Sequence, residues 1–246
     1  MNTTLRASLV LLLALLFAAG PVLVPGFGGF DPARFPHPDP APPMQPAGWA
    51  FAIWGPIYLW LVAMAAFGLW RRRADPGWDA TRGPLILSLA LGALWLPVAR
   101  AAPVVATGMI WLMLATALVA LGRTPRRDRW LLRGPVGLYA GWLTAAAAVS
   151  LGVVASGYRV AGLGGEAWGV ATVLVATLVA VPVILARPTL AYVAALVWGL
   201  AGIALGTDVT LVGGYAAIGA AAAALLLATQ HRRLLAPTAP PGRKGP

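Results

Sequence analysis

The sequence predicts an all-helical, polytopic membrane protein with about eight transmembrane helices, and three observations support this fold class. Of the 246 residues, 60% are hydrophobic and 10% are charged, whereas a soluble domain carries about a quarter charged residues. Eight apolar stretches approach or exceed the roughly 20 residues that a helix needs to cross a bilayer. The basic residues lie between these stretches so that 15 fall on one side and 3 on the other.

The predicted spans differ in how clearly their ends are marked. The third is the shortest, and Pro97, Arg100 and Pro103 predict a tight turn between it and the fourth. The first follows Arg6 and also has the features of a cleavable signal peptide, although a retained helix is the favoured interpretation. The predicted spans cover residues 7–25, 49–70, 83–99, 101–121, 134–156, 167–186, 189–206 and 209–229.

The distribution of Lys and Arg predicts the orientation, because cytoplasmic loops carry the excess. A cytoplasmic N-terminus leaves only Arg34, Arg100 and Arg159 outside. We therefore expect a multi-pass protein of the bacterial cytoplasmic (inner) membrane, with both termini and a disordered basic tail (231–246) in the cytoplasm. The net charge of +11 is then a topology signal. The lipid bilayer is the expected partner, anionic headgroups included, and nucleic acid is not.

The outer segment between the first two spans is rich in proline. Residues 31–46, DPARFPHPDPAPPMQP, contain seven prolines, which favour an extended polyproline II conformation. Two roles remain open for this segment. It either links the helices or lies as a stiff cover over their outer ends.

Chemistry-bearing residues are scarce. The predicted spans, away from their ends, hold no Asp, Glu, Lys, Arg or His, which argues against an ion-coupled pump. There are no cysteines, and the two histidines, His37 and His231, do not form a metal cluster with neighbouring residues. No phosphate-binding glycine loop and no nucleophile elbow occurs. We therefore expect no enzyme that works through acid–base groups, no metal and no resident cofactor.

Aromatic residues are the remaining functional signal, with eleven Trp in the chain. Phe51, Trp54 and Tyr58 share one face of the second span by their spacing. Pro56 cannot donate to the Ala52 carbonyl, which predicts a kinked helix with a spare acceptor. Such a face favours a binding site for a flat lipophilic molecule, and aromatic packing between helices is the alternative. Four Trp near span ends fit an interfacial belt instead: Trp70, Trp78, Trp130 and Trp168.

The stretch GWAFAIWGPIY at residues 48–58 resembles the second-helix signature of the tryptophan-rich sensory protein (TspO/MBR, or translocator protein) family. Pro46, Trp49, Trp54 and Tyr58 occupy the positions of that signature. Trp95 and Pro97 resemble the end of the family's third helix. Tyr139 and Trp142 match its fifth helix, and Ser150 stands where the family has an Asn. The helical asparagines of the family are missing here.

The resemblance implies a five-helix core (1–160) whose outer loop (26–48) closes one end, followed by three additional helices (161–230). Members of the family bind porphyrins and other flat hydrophobic molecules. The protein is then expected to be a membrane receptor or sensor for a lipophilic small molecule, with porphyrin or haem as a ligand. The implied pocket residues are Trp49, Phe51, Trp54, Tyr58, Trp95, Tyr139, Trp142 and Ser150.

Two other functions and one assembly remain open at this point. The chain could transport a neutral or hydrophobic small molecule, or it could act as a membrane scaffold. Gly137 with Gly141, and Gly202 with Gly206, are each four residues apart, a spacing that lets helix backbones approach closely. These pairs predict either packing within one chain or a homodimer.

Overall fold

The chain folds into a bundle of helices, which confirms the predicted fold class. The computed structural model describes residues 2–125, 127–208 and 210–235. Seven helical segments in this part of the chain are long and apolar enough to cross a membrane, and α7, at 15 residues, is shorter. The eight α-helices are α1 (Thr3–Leu23), α2 (Trp54–Arg71), α3 (Pro76–Ala101), α4 (Pro103–Arg123), α5 (Gly134–Gly157), α6 (Gly165–Ala186), α7 (Leu190–Ala204) and α8 (Thr210–Leu235), as far as the structure describes the chain.

Helix α5 lies at the centre of the bundle. It packs against α2 and α4 on one side and against α6 and α7 on the other, and most of its residues are buried. Small residues permit this arrangement. A Cβ atom at Gly141 would lie 2.1 Å from the backbone oxygen of Tyr192 on α7, so only glycine fits this contact. The helices α6–α8 are therefore joined to the first five through α5.

The glycine pairs all make contacts within the chain. Gly137 faces Thr189, and Gly141 faces Tyr192. Gly202 faces Ala50 and Pro46, and Gly206 faces Ala47. Because these close approaches are already occupied inside one chain, they offer no free face for the homodimer that the spacing also allowed.

Helix α3 begins seven residues before its predicted start, so the prediction of a short third span was wrong. Asp75 caps it by accepting hydrogen bonds from the backbone N–H groups of Gly77 (2.8 Å) and Trp78 (3.3 Å), and Pro76 occupies the first helical position. The helix also continues through Pro97. The predicted turn before Pro103 is therefore reduced to one residue, Ala102.

An arginine inside α3 closes the end of α2. The Arg82 side chain is 3% exposed and donates to the carbonyls of Gly68 (3.3 Å), Arg72 (2.8 Å) and Arg73 (2.7 Å). It also pairs with Asp79 at 3.3 Å. Helix C-termini leave carbonyls without partners and carry partial negative charge, so a guanidinium is a favourable cap there.

The connection between α4 and α5 packs against the same end of the bundle. Asp128 accepts hydrogen bonds from Arg72 (3.0 Å) and from the indole N–H of Trp78 (2.9 Å). Trp78 is consequently buried, so its assignment to an interfacial belt was wrong. Trp70 and Trp130 are each 74% exposed, as a belt position requires. We call this end of the bundle, with residues 68–82, 123–125 and 127–133, the arginine end.

The proline-rich segment lies across the opposite end, which is the second of its two predicted roles. Phe35 and Met44 of this segment are buried. The His37 N–H donates to the Gly157 carbonyl at 3.0 Å, which attaches the segment to the end of α5. We call residues 24–47 the cover, and the end of the bundle beneath it the cover end.

Helix α8 extends to Leu235, so residues 231–235 of the predicted disordered tail are helical. The remainder of that predicted tail, residues 236–246, lies outside the described residues.

Candidate functional site

The aromatic stretch does not form one helix kinked at Pro56. Residues Gly48–Ile53 form a 3₁₀ helix, and α2 starts at Trp54. Pro56 therefore lies in the first turn of α2, where a missing N–H costs little. The predicted spare acceptor was also wrong, because the Trp54 N–H is directed at the carbonyls of Phe51 and Ala52.

A cavity lies beneath the cover, between the start of α2 and helices α3, α4 and α5. Its volume, measured as the space open to the centre of a water-sized sphere, is about 50 Å³. Five of the eight predicted pocket residues contribute to its wall: Phe51, Trp54, Trp95, Trp142 and Ser150. The chain thus brings together, from four separate segments, residues that are up to 99 positions apart in the sequence.

Aromatic rings meet edge to face around Trp142. The ring centroids of Trp54 and Trp142 are 5.9 Å apart at 82°, and those of Phe51 and Trp142 are 6.1 Å apart at 78°. Edge-to-face pairs at such distances are favourable. They leave ring faces and edges available to a flat apolar molecule in the cavity.

The indole N–H of Trp142 has no hydrogen-bond acceptor among the described residues. The residue is 2% exposed, and its Nε1 atom is buried. Leaving a buried donor unpaired costs about 1–3 kcal/mol. A bound molecule that offers an acceptor to this atom would recover that free energy.

Trp95 connects the helices to the cover. Its indole N–H donates to the Ala106 carbonyl at 2.9 Å, which joins α3 to α4. Its ring packs against Phe27 and Phe30 of the cover, with centroid distances of 5.2 and 6.3 Å. Sequence reasoning missed both phenylalanines, although the stretch GFGGF at 26–30 places two aromatic residues among glycines just after the first span.

Gln45 is the second residue of the cover that sequence reasoning missed. It lines the cavity and donates through its side-chain amide to the Gly28 carbonyl at 2.9 Å. Gly29 has φ of 136°, and a Cβ there would lie 2.6 Å from the Gln45 Nε2 atom. Gly29 therefore permits both the backbone conformation and the position of the amide.

Three predicted pocket residues lie outside the wall. Trp49 is largely exposed and packs edge-on against Trp198, with centroids 5.0 Å apart. Tyr58 stacks on Trp54 at 5.2 Å and 15°. Tyr139 is fully buried, and its hydroxyl hydrogen-bonds with that of Ser88 at 3.0 Å. For these three residues, packing between neighbours accounts for the aromatic ring.

The comparison with known families agrees with the resemblance in the second helix. A model of the TSPO-like protein family matches residues 41–229, more than three quarters of the chain. The chain belongs to the TSPO-like protein family. This membership indicates a membrane protein of sensor or transporter type. No curated protein and no solved structure matches the chain.

The matched range differs from the extent of the motif resemblance. It begins after α1 and includes α6–α8, whereas the motifs placed the resemblance in residues 1–160.

The wall of the cavity in this TSPO-like protein consists of apolar residues and of polar residues without charge, such as Gln45 and Ser150. The neutral wall favours a ligand whose buried part carries no charge, because an unpaired ion in such a cavity is strongly disfavoured.

Proposed function

We propose that the protein is a membrane receptor or sensor that binds a flat lipophilic ligand in the cavity under the cover. It acts by binding and not by catalysis. The aromatic wall supports a planar ligand, and family membership makes a tetrapyrrole, such as a porphyrin or haem, the first class to test. The observation that best supports this proposal is the buried indole N–H of Trp142, which has no acceptor in the described part of the chain and lies beside a cavity walled by Phe51, Trp54 and Trp95.

The cover supplies the access step in this proposal. Phe27 and Phe30 pack on Trp95 over the cavity, so a ligand larger than the present space enters when these rings separate from Trp95. The attachments at His37 and Ala47 hold the rest of the cover in place. Only the part of the cover next to α1 has to move.

We also propose the bacterial cytoplasmic membrane as the location, with the arginine end facing the cytoplasm. The described basic residues support this orientation, since the arginine end holds residues 71–73, 82, 123, 127, 129 and 133. The cover end holds Arg34, Arg100 and Arg159. An excess of this kind marks the cytoplasmic side.

Titration of the purified protein with protoporphyrin IX, followed by porphyrin absorbance, tests the binding proposal. We expect saturable binding that weakens about tenfold in Trp54→Leu. Stacking of a flat ring system on an aromatic side chain contributes roughly 1–3 kcal/mol. Trp70→Leu is the matched control, since Trp70 lies on the same helix at the arginine end and is 74% exposed. Equal affinities in the two variants would place the porphyrin outside this cavity.

A further inference from the structure

The 3₁₀ segment that carries Phe51 is held by a helix from the other half of the chain. In an α-helix, the Ala50 carbonyl would accept from the Trp54 N–H, four residues later. Here that N–H is directed at Phe51 and Ala52 instead. The Ala50 carbonyl accepts from the indole N–H of Trp198 on α7, at 2.8 Å.

Two more contacts bring α7 against the same segment. The Ala47 N–H donates to the Gly202 carbonyl at 2.9 Å. A Cβ at Gly202 would lie 2.7 Å from the Cβ of Ala50, so the backbones approach as closely as glycine allows. The Trp198 ring also packs on Trp49. Helix α7 thus contacts the side chain of Trp49, the carbonyl of Ala50 and the backbone just before them.

The same helix supports the facing wall. A Cβ at Gly199 would lie 2.7 Å from the Cβ of Ala145 and 3.6 Å from the ring of Trp142. Both Ala145 and Trp142 line the cavity. One turn of α7 therefore lies behind the wall that holds Trp142, and the next turn lies behind the segment that holds Phe51.

We propose that Trp198 is a positioning residue for the cavity. Its hydrogen bond to Ala50 keeps Gly48–Ile53 in the 3₁₀ form and so sets the position of Phe51 relative to Trp54 and Trp142. A 3₁₀ helix turns about 120° per residue and an α-helix about 100°. Conversion to α-helix would rotate Phe51 relative to Trp54 by about 60°. That rotation is enough to remove the Phe51 ring from the wall.

The first test reads the position of residue 51 without any ligand. The chain has no cysteine, so Phe51→Cys introduces a single thiol whose rate of maleimide labelling reports its exposure. Adding Trp198→Phe, which keeps a ring but removes the N–H, is expected to change this rate at least threefold. Trp168→Phe is the matched control, because its indole also donates to a backbone carbonyl, that of Val160 at 3.3 Å, away from the cavity. An unchanged rate in the Trp198→Phe protein overturns the positioning role.

A second variant tests the same α7 contact without changing Trp198. Gly202→Ala places a methyl group against Ala50 and is expected to change the labelling rate as well. Gly214→Ala on α8 meets nothing within 4 Å and should leave it unchanged. If neither Trp198→Phe nor Gly202→Ala alters labelling relative to these controls, α7 does not set the position of Phe51.

The ligand readout rests on the proposed function and separates the two claims. Trp198→Phe should bind protoporphyrin IX roughly fivefold to tenfold more weakly than the wild type, the effect of one ordinary hydrogen bond. Trp168→Phe should bind like the wild type. A wild-type protein that binds no porphyrin refutes the porphyrin proposal and leaves the labelling result to decide the positioning role. Altered labelling with unaltered porphyrin affinity shows that Phe51 does not contact this ligand.

Discussion

Replacing Trp142 with Phe is expected to weaken ligand binding while costing the free protein little stability. The substitution removes a buried N–H that has no acceptor among the described residues. Removing that donor recovers about 1–3 kcal/mol of desolvation free energy. The smaller ring loses apolar burial of roughly the same size, at about 1–3 kcal/mol. The two effects have opposite signs, so the free energy of unfolding should change little.

Trp95→Phe is the matched comparison, because both tryptophans line the same cavity. Here the substitution removes the hydrogen bond that the Trp95 indole donates to the Ala106 carbonyl, and the net contribution of one such bond is about 0.5–1.5 kcal/mol in addition to the lost burial. Trp95→Phe should therefore be at least about 2 kcal/mol less stable than Trp142→Phe. For a protein of this size, that difference corresponds to roughly 4–8 °C in Tm.

The measurement is thermal unfolding of both variants in one detergent, followed by protoporphyrin IX titration. We expect Trp142→Phe to unfold near the wild-type temperature and to bind about threefold to tenfold more weakly, which is the contribution of one hydrogen bond from Trp142 to the ligand. If Trp142→Phe proves as unstable as Trp95→Phe, the Trp142 N–H already has a partner in the free protein. The observation that carries the proposed function would then be lost.

The remaining predictions concern the packing of the bundle and its orientation in the membrane. The hydrogen bonds from Arg72 hold the pKa of Asp128 below its usual value, so the stability that Asp128 contributes is present near neutral pH and is lost as pH falls through its lowered folded-state pKa. Asp128→Asn, which tolerates the left-handed φ of 57°, should lower Tm at pH 7 and flatten its fall below about pH 4. Gly141→Ala should lower the free energy of unfolding by about 1–3 kcal/mol or more, measured by denaturant titration, because its Cβ would meet the Tyr192 backbone; a neutral effect would refute the close α5–α7 contact. A membrane-impermeant maleimide should label Val160→Cys in intact cells and Ala74→Cys only after permeabilisation, and the reverse pattern would invert the proposed orientation.

The spans were predictable because hydropathy and length are properties of each segment alone. The start of α3 was not, since Asp79 and Arg82 look like charges that a span must exclude. Arg82 is accommodated because it meets three carbonyls at the end of α2 and the carboxylate of Asp79. These partners become neighbours only when α2 and α3 pack. Trp78 was misassigned for the same reason, because its acceptor, Asp128, lies 50 residues away.

The cavity was predictable in part. Phe51, Trp54, Trp95, Trp142 and Ser150 followed from spacing or from family motifs, and all five line the cavity. The contribution of the cover was missed, since its many prolines and glycines give no periodicity from which to place Phe27 or Phe30. The predicted backbone conformation around Pro56, one helix kinked at the proline, was also wrong. The backbone before Pro56 is a 3₁₀ helix, and the side chain that donates to its Ala50 carbonyl from outside, Trp198, is 148 residues away.

The short length of α7 has a physical explanation in the same contacts. Its 15 residues span about 22 Å, whereas a bilayer core is roughly 30 Å thick. A helix that ends inside the hydrocarbon region needs partners for its last carbonyls, because lipid offers none. The Gly202 carbonyl finds one in the Ala47 N–H, and Gly206 lies against the backbone of Ala47. The end of α7 and residues 47–50 therefore supply hydrogen-bond partners to each other. Ala47 donates to the Gly202 carbonyl, and Trp198 donates to the Ala50 carbonyl. Removing α7 would remove the hydrogen bond from Trp198 to the Ala50 carbonyl, so a chain truncated after residue 160 should lose the 3₁₀ segment even where its first five helices still form.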